Sequence, residues 1–111
     1  MSERERRIGR NEALFREVND RIERVAETMQ VTTDTIQIIC ECANESCTEQ
    51  LTVPVAEYER VRSDSELFFV RNGHEQPDIE HVVERHGDYN VVRKEPGDAA
   101  RLAHELDPRD Q

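Results

Sequence analysis

The sequence predicts an α+β domain: one long amphipathic helix, then a small sheet of about four strands with three further short helices. Three observations predict it. Apolar residues recur at helical spacing through the first thirty positions. Short β-branched runs follow at intervals, and the segments between them carry proline openers and glycine or Asn-Gly stops. A chain of 111 residues has room for one core. It divides into the helix, residues 1–30, and a small α+β unit, residues 31–111.

The first helix is expected over residues 3–29. Ile8, Phe15, Val18, Ile22, Val25 and Met29 are spaced by seven, three, four, three and four, with Asn11 standing between Ile8 and Phe15. Two arrangements bury such a stripe. One lays the helix on its own domain, with Leu14 and Ala26 widening the apolar face. The other is a homodimer through the N-terminal helix, a coiled coil whose register Asn11 sets. The seam is short for a coiled coil, which favours the first. Either way Phe15, Val18, Ile22 and Val25 are expected inside.

From Thr32 the period changes. Thr35-Ile36-Gln37-Ile38-Ile39 reads as a strand, and Leu51-Thr52-Val53 as a second. Pro54 suits the first turn of a helix carrying Val55, Tyr58 and Val61 on one face. Leu67 to Val70 is a third strand, stopped by Asn72-Gly73. Pro77 is expected to open a helix with Asp78 and Glu80 in its first turn, Ile79, Val82, Val83 and His86 inward, and Gly87 as its stop. Tyr89 to Arg93 is a fourth strand. Asp98 can cap a last helix that turns Ala99, Leu102, Ala103 and Leu106 inward and ends at Asp107-Pro108.

Composition limits the core and the partners. Charged residues (36%) outnumber hydrophobic ones (35%) and aromatics are few, so a metal or a partner chain would help to hold the fold. Formal charge is −10; residues 1–30 carry seven Arg against seven acids, so the whole excess falls on residues 31–111. That surface repels phosphate backbones, which argues against nucleic acid and for another protein as partner. No apolar run is long enough for a bilayer and no apolar stretch follows Met1, so a cytoplasmic location is expected and no membrane. Thiols stay reduced there, and an odd count of three cysteines suits a metal cluster better than a disulfide framework.

Those cysteines read C-x-C-x4-C: Cys40-Glu41-Cys42-Ala43-Asn44-Glu45-Ser46-Cys47. Three thiolates on a loop between two strands can converge on one zinc ion, which takes four ligands in a tetrahedron. Free cysteines are often plain core residues. Here Cys42 and Cys47 lie among Glu41, Asn44 and Glu45, where core packing has little use for them. The fourth ligand must come from elsewhere. His81 and His104 fall off the apolar faces of their helices and read as solvated. His74, in the turn after Asn72-Gly73, ranks first and His86 second, ahead of Glu41, Glu45 and water. One objection bears on His74. A right-handed crossover from the second strand to the third would carry it to the far end of the sheet.

The eight-residue loop is similar to the zinc knot that follows the catalytic domain of SET methyltransferases, which implies a metal-binding role and no more. It departs from the iron–sulfur loop of CDGSH proteins, which has a histidine just after the third cysteine where this chain has Thr48-Glu49-Gln50. Over most of its length the chain resembles a family of small uncharacterised proteins of actinobacteria and related high-GC bacteria. That likeness rests on Asn11-Glu12-Ala13-Leu14-Phe15-Arg16-Glu17-Val18-Asn19, on the cysteines, on Glu57-Tyr58-Glu59-Arg60-Val61-Arg62 and on Gly73-His74-Glu75. It implies the metal loop and assigns no activity.

Neither H-E-x-x-H nor the deaminase pairing of H-x-E with P-C-x-x-C is present, and no nucleophile–base pair stands out. The expectation is a structural-zinc-binding, non-catalytic module for protein interaction or regulation. A thiol-based redox or zinc-sensing regulator is the alternative. A zinc-dependent enzyme ranks third.

Overall fold

The computed structural model of the protein describes residues 3–28, 34–42, 44 and 46–110. In chain order these form α1 (Glu3–Thr28), β1 (Thr35–Ile39), β2 (Gln50–Pro54), α2 (Val55–Arg62), β3 (Leu67–Arg71), β4 (Glu80–Arg85), β5 (Tyr89–Lys94) and α3 (Asp98–Glu105), closed by a 3-10 turn at Pro108–Asp110.

β1 and β2 pair antiparallel with Ile36 opposite Val53 and Ile38 opposite Leu51. Side chains of a strand alternate between faces, so this register puts all four on one side. There they meet Tyr58 and Val61 of α2, Phe69 of β3 and Val91 of β5 in the main core. The Tyr58 and Phe69 rings stack at 5.6 Å. β3, β5 and β4 form a second antiparallel sheet in that order. Beyond that shared core, hydrogen bonds join the chain just after β1 to β3: the Glu41 N–H donates to Phe69 O at 2.8 Å and the Phe69 N–H donates to Glu41 Oε1 at 2.9 Å. The expected single sheet of about four strands is therefore two sheets, of two and three strands.

The helix expected from Pro77 to Gly87 is instead β4. Ile79, Val82 and Val83 satisfy a helical period and nearly satisfy an extended one. The choice falls to β5, whose free edge takes β4 in antiparallel register. Gly87, at φ 79°, is the turn of that hairpin and not a helix stop; the His86 N–H donates to Tyr89 O at 2.9 Å. A register shift between Val82 and Glu84 absorbs the extra apolar residue, and Val83 is left 42% exposed. Two of the three short helices expected are present as α2 and α3, and the third place is taken by β4.

α1 departs furthest from expectation. Leu14, Val18 and Val25 are 56%, 36% and 57% exposed, and Phe15 and Ile22 are only half-buried. The inward face carries Glu12, Arg16, Asn19, Asp20 and Glu23 beside Ile8 and Ala13. Buried charge contributed by the rest of the fold explains the inversion. Arg62 of α2 and Lys94 of β5 are both buried, and a buried cation without a counter-charge costs more than a few exposed aliphatic side chains. Asp20 faces Arg62 at 2.8 Å, and Glu12 pairs with Lys94. Arg16 donates to the Ser65 and Ala103 carbonyls, both at 2.7 Å, with its guanidinium 4.7 Å from the Phe68 ring centre. At the other end α1 crosses α3 closely: a side chain on Gly9 would stand 3.1 Å from Leu102 Cδ1.

Lys94 lies between Glu12 and Glu80, and all three are buried. Burial, with Glu80 adding to it and Lys94 opposing, pushes the Glu12 carboxyl up from 4.5 to about 8. Between those values the folded chain holds a proton that the unfolded chain has released. Stability should therefore fall as pH rises through that window, by at most about 1.4 kcal/mol per pH unit. Glu12→Gln is expected to flatten this slope in thermal melts. Parallel slopes in wild type and variant would show Glu12 to be ionised throughout.

Candidate metal centre

The site begins where β1 ends. Past the end of β1 the side chains still alternate, with Cys40 and Cys42 turned to one side and Glu41 to the other. Cys40 and Cys42 pack with Phe68, Val70, Val92 and Ala103, with the half-buried Cys47 against them. Glu41 is fully buried and accepts from Phe69 N and Asn19 Nδ2. The loop then turns on Asn44, whose Oδ1 accepts from Ser46 N at 3.0 Å and whose carbonyl accepts from Cys47 N at 3.0 Å. The Cys40 N–H donates to Glu49 O at 2.9 Å and closes the base.

His74 arrives from β3. Asn72 and Gly73 make a tight turn, with Gly73 at φ 92° and the His74 N–H donating to Arg71 O at 2.9 Å. This places His74 Nδ1 3.6 Å from Cys40 Sγ and 3.6 Å from Cys47 Sγ. One ligand atom from each of Cys40, Cys42, Cys47 and His74 lies within 4.8 Å of every other. These four can bind a metal ion. The crossover objection to His74 does not apply, because β2 and β3 belong to different sheets.

Hydrogen bonds divide the thiols. The Arg71 N–H donates to Cys40 Sγ at 3.1 Å. A hydrogen bond from Cys40, with help from the Asn44 N–H, lowers the Cys42 thiol to about 5. Cys40 is raised by that same bond and by burial, and Cys47 is raised chiefly by burial.

No family model, curated protein or solved structure matches the chain. The site stands on its geometry.

The other expected ligands fall elsewhere. His86 stacks on Tyr89 at 4.9 Å and bonds to Glu84 at 2.7 Å. With Glu57 and Glu84 it forms a second group of the right compactness for a cation. The Arg60 guanidinium already pairs with both of those carboxylates and fills that place. His81 bonds to Glu95 at 2.6 Å and His104 to Ser65 at 3.3 Å. Glu41 points away from the thiols, and Glu45 lies outside the described residues. Sequence reasoning missed the supporting residues. Period-two alternation across Cys40-Glu41-Cys42 would have turned Glu41 inward. Nothing local marks Asn19, whose partners Ile39 and Glu41 are 20 and 22 positions away.

Proposed function

We propose that the protein is a small structural-zinc module without catalytic function, acting in protein interaction or regulation. One observation carries the zinc reading. Sulfur at about 2.3 Å and nitrogen at about 2.0–2.1 Å from a tetrahedral zinc ion lie about 3.6 Å from each other. His74 Nδ1 stands 3.6 Å from two of the thiol sulfurs. Three thiols and an imidazole suit zinc and disfavour magnesium, calcium and manganese. Four protein ligands leave no open position for substrate, as in structural sites.

The acidic excess of residues 31–111 favours a basic protein surface as partner over nucleic acid. Among the described residues no helix is long and apolar enough to cross a membrane.

Elemental analysis of protein purified without chelator tests the site. One zinc per chain is expected in wild type and in His86→Ala. His74→Ala should hold zinc at least about tenfold more weakly, since its tetrahedron is incomplete. Metal-free wild type with three freely titrating thiols would refute the reading. A second reading, thiol-based sensing, draws on the half-buried Cys47 and on a shallow pocket of about 180 Å³ lined by Cys42, Asn44 and His74. Zinc release by peroxide at low dose, reversed by reductant, would favour it.

A further inference from the structure

We propose that metal occupancy and the docking of the second half of α1 are one linked equilibrium, joined through Asn19 and Glu41. The inference rests on the zinc reading and adds a regulated element to it.

Asn19, on α1, bonds to the chain on either side of Cys40. Its Nδ2 donates to Ile39 O at 2.9 Å and to Glu41 Oε2 at 2.8 Å, and its Oδ1 accepts from Ile39 N at 2.9 Å. One amide therefore engages both backbone groups of the residue before the first ligand and the side chain between the first two. Asn19 and Glu41 are fully buried. The other Glu41 oxygen is held by Phe69 N. The path of residues 39–42 is thus fixed from two sides: by Asn19 and Phe69 on one, by the ion that Cys40 and Cys42 would hold on the other.

The two halves of α1 are anchored differently. The first half lies on α3 and β4's approach, through Ile8, Ile79 and Ala99 and the close crossing at Gly9. It also carries Glu12, paired with Lys94. None of these contacts includes the cysteine loop. The second half is held by Asn19 on the loop, by Arg16 on the Ser65 and Ala103 carbonyls, by Asp20 on Arg62 and Tyr58, and by Glu23 on Arg109; of these only the Asn19 contact reaches the cysteine loop. Removing the ion frees the loop side of the Asn19 clamp and leaves the first half's anchors as they are. Linkage is reciprocal: whatever factor the ion contributes to docking of the second half, docking contributes to affinity for the ion. Val18 and Val25, exposed on that same half, would have their presentation set by the ion.

Hydrogen exchange of the full chain, zinc-loaded and after chelation, tests this without a variant. Amides of residues 16–26 are expected to exchange at least about tenfold faster without zinc, and those of residues 6–13 to change much less. Asn19→Ala, loaded with zinc, should show the fast pattern in residues 16–26 and bind zinc more weakly by a similar factor. If zinc is bound and released with no change in either half, the linkage is wrong and the zinc reading stands. Equal loosening of both halves also overturns it, because the ion would then hold the fold as a whole. A wild type that binds no zinc removes both readings. Should Asn19→Ala fail to fold, the wild-type comparison decides alone, and Glu41→Gln, which keeps the shape, supplies the affinity arm.

Discussion

Arg62→Met is expected to cost about 3–5 kcal/mol, the range found when one partner of a buried ion pair is removed. The guanidinium is fully buried and donates to Asp20 at 2.9 and 2.8 Å and to Asp107 at 3.2 and 2.9 Å. Without it two buried carboxylates face each other. Arg109, 3.3 Å from Asp20, and Arg16, 4.0 Å from Asp107, compensate only in part. A domain of this size has about 5–15 kcal/mol in total, so thermal melts should shift by about 15 °C or more. The acid limb should move as well. Although burial opposes it, bonding to Arg62 holds Asp20 and Asp107 below the usual carboxylate range. Their contribution is present above the unfolded value of 3.8 and is lost as pH falls through the lower folded values. In Arg62→Met that loss should begin at higher pH. Adding Asp20→Asn and Asp107→Asn should recover part of the stability, since the orphaned charges are then gone. A melting temperature within a few degrees of wild type would show that the network contributes little.

Cys42→Ser should be the other large effect. With zinc in the site, structural binding energies of about 10–16 kcal/mol apply in small zinc peptides, comparable to the whole stability of a thin domain. Cys42 is the thiol most ready to ionise, held at about 5 by Cys40. Its loss removes one of the four ligands. The variant is expected to retain less than one zinc per chain and to melt near the temperature of chelated wild type. Acid should release the ion from wild type, because protons compete for the thiolates. Elemental analysis beside melts with and without chelator measures all of this. Full zinc retention in Cys42→Ser would remove Cys42 from the ligand set.

What the sequence could announce was whatever a local pattern decides. α2 has an opener and a period within a dozen residues, α3 a period and a stop, and β1 has alternation running into a loop; the cap expected of Asp98 is not made, because the helix starts at Asp98 with Gly97 before it. The cysteines were legible for the same reason, and Asn72-Gly73 marked the turn that carries His74. β4 was hidden because Pro77, Ile79, Val82, Val83 and Gly87 serve a helix or a hairpin equally; pairing with β5 decided it. The inward face of α1 was hidden because a helix's own apolar stripe predicts its buried side only when the surface beneath is apolar. Here that surface presents Arg62 and Lys94, more than thirty positions along the chain, and the polar face answers them.

The pairing of Lys94 has a consequence for the protein's chemistry in solution. It is the only lysine in the sequence, and its amino group is shut between Glu12 and Glu80. The folded surface therefore offers arginine everywhere and no ε-amino group at all. Acylating reagents, amine-directed crosslinkers and lysine-conjugating enzymes find no side chain to attack while the fold is closed. Attachment at Lys94 would register the moments when α1 and β5 come apart.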